Sequence, residues 1–600
     1  MSFVQALQQD VLLGDGANGT CLAAMGFKNQ PYDLANILAP ELVRAVHAQY
    51  FDAGADFVET NTYAANRFRL EGLNVDPKAI NLAGAKLARE AAGSRLVLGA
   101  IGPAGKPLEP IGHIRAEEWF KAVAEQAEAL AEGGVDGIML ETFIDMEELT
   151  LAVNAVKSVT DLPIVVSKAY IEDGEMLAEG LPVRTAKDMA DLHVVALGAN
   201  CIVGPQRMLD LVRQIAETTE LPIIAFPTPG LPQLVKGQII YDQRPEYFAK
   251  ATMRLVEEGA KIVGGCCGTT PDHIREIRKL VGKGVKTKAR TGLSITTKER
   301  APLPETEPSE LAQKIGQKFI TAVELDVPRG LNLDKLLASC KAMKIAGADV
   351  INISDGARAR LRCNPAAVCS LIQRQVGIET TMHFACRDRN LLAMQADLLG
   401  CHAVGVRNIL AVTGDPANIG DYPSATSVFD IDAIGLIRIL NRFNEGIDLA
   451  GYSVGVKCGF TICAAYNPMA QDQELEDDRL RRKVEAGATV VYTQPVFEMS
   501  GADRTVKICN ELGVAGLLGL LPLRSERHAE FMHNEVPGIE IPDWLRKKIA
   551  DAPDDASALA IGVEEASNLA RAVKSGVQGI YLMPPFGSAK IAAAVMQALN

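Results

Sequence analysis

The sequence predicts an α/β protein made of two (β/α)8 barrels joined by a polar linker. Three observations carry that prediction. Short apolar runs end in polar or glycine-rich segments, amphipathic helical stretches separate them, and each half of the chain contains eight such runs. Apolar runs alternating with amphipathic helices mark parallel strands buried on both faces. Eight βα units within residues 1–281 suit one barrel. The same alternation would also build a pair of open doubly wound sheets, and the count of eight favours barrels.

In the first half the runs are VLLGDGANG (11–19), ADFVETNTY (55–63), RLVLGAIGP (95–103), DGIMLETF (136–143), PIVVSKAY (163–170), VVALGANC (194–201), PIIAFPTPG (222–230) and KIVGGCCG (261–268). EEWFKAVAEQAEALAEGG is typical of the helical stretches between them. Residues 282–310 are polar, rich in Lys and Thr and without apolar periodicity, so they are expected to be the linker. The second half repeats the pattern with FITAVELDVP (319–328), ADVINISDG (348–356), TTMHFACRD (380–388), RNILAVTGD (407–415), SVGVKCGFTICAAYN (453–467), ATVVYTQPVF (488–497), AGLLGLLPL (515–523) and GIYLMPPF (579–586). The expected domains are therefore residues 1–281 and 311–600.

Composition removes several function classes. The chain has 600 residues, a net charge of −13 and no basic cluster interleaved with aromatics, so no nucleic-acid partner is expected. No Lys or Arg precedes Lys28, which argues against a signal peptide. No apolar run approaches the roughly 18 residues that span a bilayer, so no membrane partner is expected. Twelve cysteines without a secretion signal suggest reduced thiols and a cytoplasmic location.

In a barrel, chemistry sits where strands end. Acids and thiols collect at those ends: Asp15, Glu59, Glu141, Cys201, Cys266 and Cys267 in the first half, and Glu324, His383, Asp415 and Gln494 in the second. Cys201 ends the sixth run and the Cys266–Cys267 pair ends the eighth, so three thiolates can converge on one rim. Successive residues of a strand face opposite ways, so the backbone must bend at the pair, and Gly264, Gly265 and Gly268 are expected to allow it. Three protein ligands with one open position describe a catalytic zinc site. Zinc would deprotonate a bound thiol and keep its sulfur nucleophilic. Buried core thiols and a vicinal disulfide are the other readings of the pair. His273, six residues past Cys267, is a weaker ligand candidate.

GANC at 198–201 and GGCCGT at 264–269, with DGANGT, ETNTY, GAIGP and ETF at other strand ends, resemble the homocysteine S-methyltransferase family over roughly residues 5–282. The resemblance implies one catalytic zinc on Cys201, Cys266 and Cys267. It also implies that Asp15 and Glu141 hold the amino acid, with Glu141 facing its ammonium group, and that Asn200 lines the pocket. PTPGLP at 227–232 departs from the family pattern in a loop facing the methyl donor, so donor identity stays open. Two motifs are decoys. GDGANG at 14–19 fits a dinucleotide fingerprint, but about 20 residues on no second strand ending in an acid follows, PYDLANILAPELV reading as helical. DLHVVA at 191–196 begins like a cobalamin motif but carries Ala196 where that motif needs glycine.

In the second half, Glu324 stands at a barrel mouth, where desolvation raises a carboxyl toward general-acid range. Arg481, Arg482 and Lys483 could grip a phosphate or could form a solvated face. AVELDVPR, SDGA at 354–357, MHFAC at 382–386, TGD at 413–415, RRKVEAGA at 481–488 and TQPVF at 493–497 together resemble methylenetetrahydrofolate reductase from about 313 to 600. The resemblance implies FAD held by Ser354, His383, Thr413, Gly414, Asp415, Tyr466, Arg482, Lys483 and Ala488. Glu324 would be the catalytic acid, Asp415 a second catalytic residue, and Gln494 would bond the pterin. NPMAQ after the AAY segment, and Glu526 where an aromatic is expected, depart from the pattern.

The combined reading is a bifunctional enzyme of methionine and one-carbon metabolism. One barrel moves a methyl group onto homocysteine. The other reduces 5,10-methylenetetrahydrofolate with FAD and NAD(P)H as co-substrate. A homo-oligomer and a separate corrinoid protein are further partners that this reading admits. The rivals are a half that serves as a thiol- or zinc-sensing module, and a first barrel that methylates another thiol or selenol such as selenocysteine.

Overall fold

The computed structural model describes residues 2–109, 111–170, 181–230, 233–235, 238–240, 244–282, 302–536 and 538–599. The chain divides into two compact units, Met1–Leu108 with Ile114–Ala301 and Glu109–His113 with Pro302–Asn600. Each unit is an eight-stranded parallel α/β barrel.

The first unit contains β1 (Leu12–Leu13), β2 (Phe57–Glu59), β3 (Leu96–Ile101), β4 (Gly137–Phe143), β5 (Ile164–Lys168), β6 (Ala196–Asn200), β7 (Ile223–Phe226) and β8 (Ala260–Val263). Neighbours pair in sequence order from β2 to β8, and β8 pairs with β1. Between β1 and β2 there is no regular ladder. A backbone bond from Asp56 N–H to Leu13 O (2.7 Å) joins them, and two carboxylates complete the seam. Asp56 Oδ2 accepts the Leu13 N–H at 2.8 Å, and Asp15 Oδ2 accepts the Glu59 N–H at 3.0 Å. Side-chain oxygens thus satisfy donors that a longer β1 would have paired.

Period-two alternation sorts each strand into inner and outer faces. Leu12, Phe57, Leu98, Met139, Val165, Ala196, Ile224 and Ile262 fill the barrel as one buried cluster with Phe226. The N-terminal helix Phe3–Gln9 closes its lower end by burying Phe3, Ala6 and Leu7 in the same cluster. Two residues further along the same faces come Glu59, Glu141 and Gly264, so the apolar floor turns polar at the upper rim.

The second unit contains β9 (Ile320–Leu325), β10 (Val350–Ile353), β11 (Glu379–Ala385), β12 (Asn408–Val412), β13 (Thr461–Tyr466), β14 (Val490–Pro495), β15 (Ala515–Leu520) and β16 (Gly579–Leu582). These close completely, β16 pairing with β9 through Ala322↔Tyr581 and Val323↔Leu582. Ile320, Ala322, Val350, Leu410, Cys463, Val490, Tyr492, Leu517 and Tyr581 form the interior, closed below by Leu311. Alternation then turns Glu324, Asn352 and His383 inward above that floor.

Most of the expected linker, residues 283–301, lies outside the described residues. From Pro302 the chain already belongs to the second unit. Thr306 N–H donates to Lys457 O (3.0 Å) and Lys457 N–H to Pro304 O (2.9 Å). The Ser309 and Thr461 hydroxyls meet at 2.7 Å. The polar composition that marks residues 302–309 as a tether in sequence is met here by hydrogen bonds to the barrel. Among the described residues no helix is long and apolar enough to cross a membrane.

Candidate functional site

Cys201 follows the last residue of β6, and Cys266 and Cys267 follow β8 in the turn before the helix Pro271–Leu280. Their sulfur atoms all lie within 4.8 Å of one another. Backbone bonds from Cys201 N–H to Phe226 O and from Cys266 N–H to Pro227 O, both 2.9 Å, anchor the two loops to the end of β7. Cys201 and Ile202 adopt left-handed φ of +59° and +57°, which bends the chain at the first thiol. The Thr269 hydroxyl donates to Cys266 O at 2.6 Å and fixes the second turn.

The glycines act differently from the expectation. Gly268 has a left-handed φ of +84°. Gly264 and Gly265 are needed for space, because a β-carbon on Gly264 would lie 2.8 Å from Asp15 O and one on Gly265 2.4 Å from the Thr269 side chain. All twelve cysteines are free thiols, so the adjacent pair is not a disulfide. His273 is engaged in capping its own helix, its Nδ1 lying 2.9 Å from the Thr270 hydroxyl.

The three thiols share charge. Hydrogen bonds from Cys266 and Cys267 pull the Cys201 thiol far below its ordinary range, and the same contacts push the other two up. The Cys201 and Cys267 sulfurs lie 3.8 Å apart. Three sulfur donors at this spacing fit a thiophilic cation such as zinc, with a position left for a fourth ligand.

Asn200, 1% exposed, links the thiols to the acids. Its Nδ2 donates to Glu141 Oε2 (3.2 Å) and to the Thr142 hydroxyl (2.6 Å) and lies 3.9 Å from Cys266 Sγ. Its Oδ1 accepts the Thr142 N–H at 2.9 Å, holding Thr142 at φ +63°. Glu141 hydrogen-bonds the Glu59 side chain. Two carboxyl groups in contact must share a proton. Burial first, then neighbouring charge, raises all three acids: Asp15 and Glu59 rise well above the ordinary range, and Glu141 reaches about 8, pushed also by Cys201. An incoming ammonium group would relieve that accumulation of acid. Glu59, which the sequence placed on the rim without a role, completes the acid cluster.

In the second barrel, Glu324 accepts a hydrogen bond from the Tyr581 hydroxyl on the adjacent strand. Burial raises its carboxyl to about 7 against that donation, and Asp326 adds to the rise. Asn352 Nδ2 and His383 Nε2 lie 3.4 Å apart beside it, and burial lowers His383 to about 4. Asn352 Oδ1 is buried without a partner among the described residues. Around this interior stand the exposed ends Thr413, Asp415 and Gln494 and the buried Ser354. Gly414 has φ +92°, a conformation that suits glycine. Asp415 Oδ2 accepts the Arg358 N–H at 2.9 Å. Arg387, 4% exposed and not singled out in the sequence, ties two of these loops together by donating to Gly356 O and Asp415 O. Polar strand ends around a buried amide oxygen without a partner among the described residues fit a bound polar ring system such as a flavin.

The remaining expected flavin contacts are not all gathered at this mouth. The Tyr466 ring packs outside the barrel with Leu480, Val491, Ile508 and Cys509, and its hydroxyl donates to Asp477 at 2.7 Å. Ala488 is buried just before β14 begins, at the lower end. Lys483, in the last turn of the helix Gln473–Glu485, reaches Ala465 O at 2.7 Å, and Arg482 lies in the same turn.

Comparison with known proteins agrees with this division. Residues 12–281 match the family model for homocysteine S-methyltransferase, and residues 310–599 match that for methylenetetrahydrofolate reductase. Methionine synthases of Mycobacterium leprae and Mycobacterium tuberculosis are each 32% identical, over 302 residues (47% of the chain) and 300 residues (46%) respectively. The matched part spans about a quarter of those relatives, 25% of each. Among solved structures, the metallated form of the homocysteine methyltransferase MmuM from Escherichia coli is 26% identical, with a TM-score of 0.39. That match covers 46% of this chain and 99% of that one.

Proposed function

We propose a bifunctional enzyme of methionine and one-carbon metabolism, its residues 12–281 matching the homocysteine S-methyltransferase family and its residues 310–599 the methylenetetrahydrofolate reductase family. Residues 1–281 carry methyl transfer to homocysteine and residues 311–600 carry reduction of 5,10-methylenetetrahydrofolate. The observation that carries the reading is the thiol triad, three sulfurs within 4.8 Å at the rim that also holds three acids.

Cys201, Cys266 and Cys267 would hold one zinc ion, which when bound supplies Lewis-acid activation of a substrate thiol. Glu141 and Asp15 would receive the substrate ammonium group. Asn200 keeps Glu141 turned toward the thiols through its 3.2 Å bond and so sets the span between ammonium and sulfur. Rotation of substrate between those two anchors is then restricted, which places the sulfur for attack on a methyl donor.

In the second barrel, Ser354, His383, Thr413, Gly414 and Asp415 would hold FAD, which supplies hydride transfer from NAD(P)H when bound. Glu324, raised to about 7 and so partly protonated at neutral pH, would supply the proton needed to open the five-membered ring of the folate at N10. Tyr581 orients that carboxyl, and Gln494 would bond the pterin. The purified protein tests the whole reading. About one zinc per chain and a yellow flavin spectrum are expected, with methionine formed from homocysteine and methyltetrahydrofolate formed from methylenetetrahydrofolate. A colourless, metal-free protein without either activity would refute it.

A further inference from the structure

Lys168, the last residue of β5, is 2% exposed and has no ion-pair partner among the described residues. Its Nζ donates to Ile144 O and stands 5.2 Å from the Tyr170 ring centroid. Burial pushes the amine down to about 8 against the pull of Asp145, which leaves it mostly charged at pH 7. A buried ammonium group costs more than an apolar side chain of the same length, so filling space does not account for a lysine here. What its bond holds is the end of β4. Thr142, directly after Glu141, has a φ of +63°, which a β-branched residue keeps only under constraint. The register of β4 against β5 shifts between Leu140 and Phe143, a bulge of the kind that re-aims side chains beside active sites. Asn200 grips that bulge at Thr142 from the β6 side. From β5, Ala169 N–H donates to Phe143 O at 2.8 Å, and Lys168 takes the next carbonyl.

We propose that Lys168 is a positioning residue for the amino-acid substrate: by holding Ile144 O it keeps the bent end of β4 in place and Glu141 turned toward the thiols. This deepens the methyltransferase reading of the first barrel and rests on it. Lys168 itself touches no substrate, because Val165 fills the barrel and strand alternation then turns Lys168 toward the surrounding helices. A charge-assisted bond is the stronger kind, which suits a restraint that must outweigh the strain at Thr142. Without it Thr142 can relax toward an ordinary backbone conformation, and Glu141, one residue back, swings with it. The effect of Lys168 is therefore confined to the group that Glu141 receives, the substrate ammonium, and leaves the grip of the thiol site on sulfur intact.

The test is titration calorimetry on the full, zinc-loaded chain with homocysteine and with 4-sulfanylbutanoate, the same thiol acid without its amino group. No methyl donor is needed. Lys168→Met should weaken homocysteine binding about tenfold, the cost of one misplaced bond to a charged group, and leave 4-sulfanylbutanoate binding unchanged. Zinc content and melting temperature report that the fold survives. If Lys168→Met does not retain zinc, Lys168→Gln, a neutral donor on a shorter stem, takes its place with the same expected readings. Unchanged homocysteine affinity, or an equal loss for both thiols, overturns the assignment, the second because it marks general damage to the site. Wild type that binds neither thiol refutes the methyltransferase reading itself, and the role of Lys168 falls with it.

Discussion

Glu324 offers the sharpest measurement, because its proton should matter to one half-reaction and not to the other. Its carboxyl is raised from an ordinary 4.5 to about 7 by burial. At pH 7 a group with that pKa is about half protonated, whereas at 4.5 it would keep its proton about 0.3% of the time, so burial enlarges the supply of acid about 150-fold. The neutral acid is present below pH about 7 and is lost as pH rises through it, so folate reduction should fall on the alkaline side of that value. Glu324→Gln keeps the shape and removes the proton. A positioned general acid contributes about 10²–10⁴-fold, and the variant should lose that factor in the folate half-reaction. Stopped-flow absorbance of the flavin separates the halves, with bleaching by NAD(P)H near normal and recovery on adding methylenetetrahydrofolate very slow. The hydrogen bond from Tyr581 favours the ionised form. Tyr581→Phe should therefore move the alkaline limb to higher pH. If bleaching slows in Glu324→Gln as much as recovery does, the carboxyl holds the cofactor or the fold, and its role as acid is wrong.

Cys266→Ala removes one of three clustered sulfurs. Metal analysis should show zinc lost together with methyl transfer, while folate reduction persists; full zinc occupancy with normal transfer would refute the site. Asn200→Ala deletes the bonds to Glu141 and Thr142, and KM for homocysteine should rise about tenfold, the cost of one or two misplaced polar groups, with zinc retained. Each barrel expressed alone should keep its own chemistry. A fragment beginning at residue 302 should outlast one beginning at 311, because the shorter one loses the Ser309 cap of the helix Glu310–Lys314, an N-cap being worth about 1 kcal/mol. Equal melting temperatures would mean that residues 302–310 contribute nothing.

How much of this was legible in the sequence follows from which interactions are local. Every barrel strand overlaps a run picked out by its apolar content, with only Ala260 of β8 and Glu379 of β11 one residue outside, since burial on both faces leaves a continuous hydrophobic signature. Period-two counting from those runs also turns Glu141 and Glu324 inward. The same counting sends Tyr466 outward, because Cys463 faces the interior, and so reports why its ring joins the helix-side cluster. Residues 302–309 read as a tether because hydrogen bonding to Lys457 and Thr461 leaves no trace in composition.

By itself, then, the sequence determined two eight-stranded barrels, the three cysteines and the acids at strand ends, because periodicity and motif are properties of neighbouring residues. Only the tertiary structure decided the rest. It decided that Asp15 also seals the seam between β1 and β2, and that Glu59 shares a proton with Glu141. It decided too that Asn200 couples acid to thiol across three strands and that Tyr581 faces Glu324. Each of these pairs residues far apart in the chain, and what joins them is the register of strands around a barrel, which no local pattern encodes.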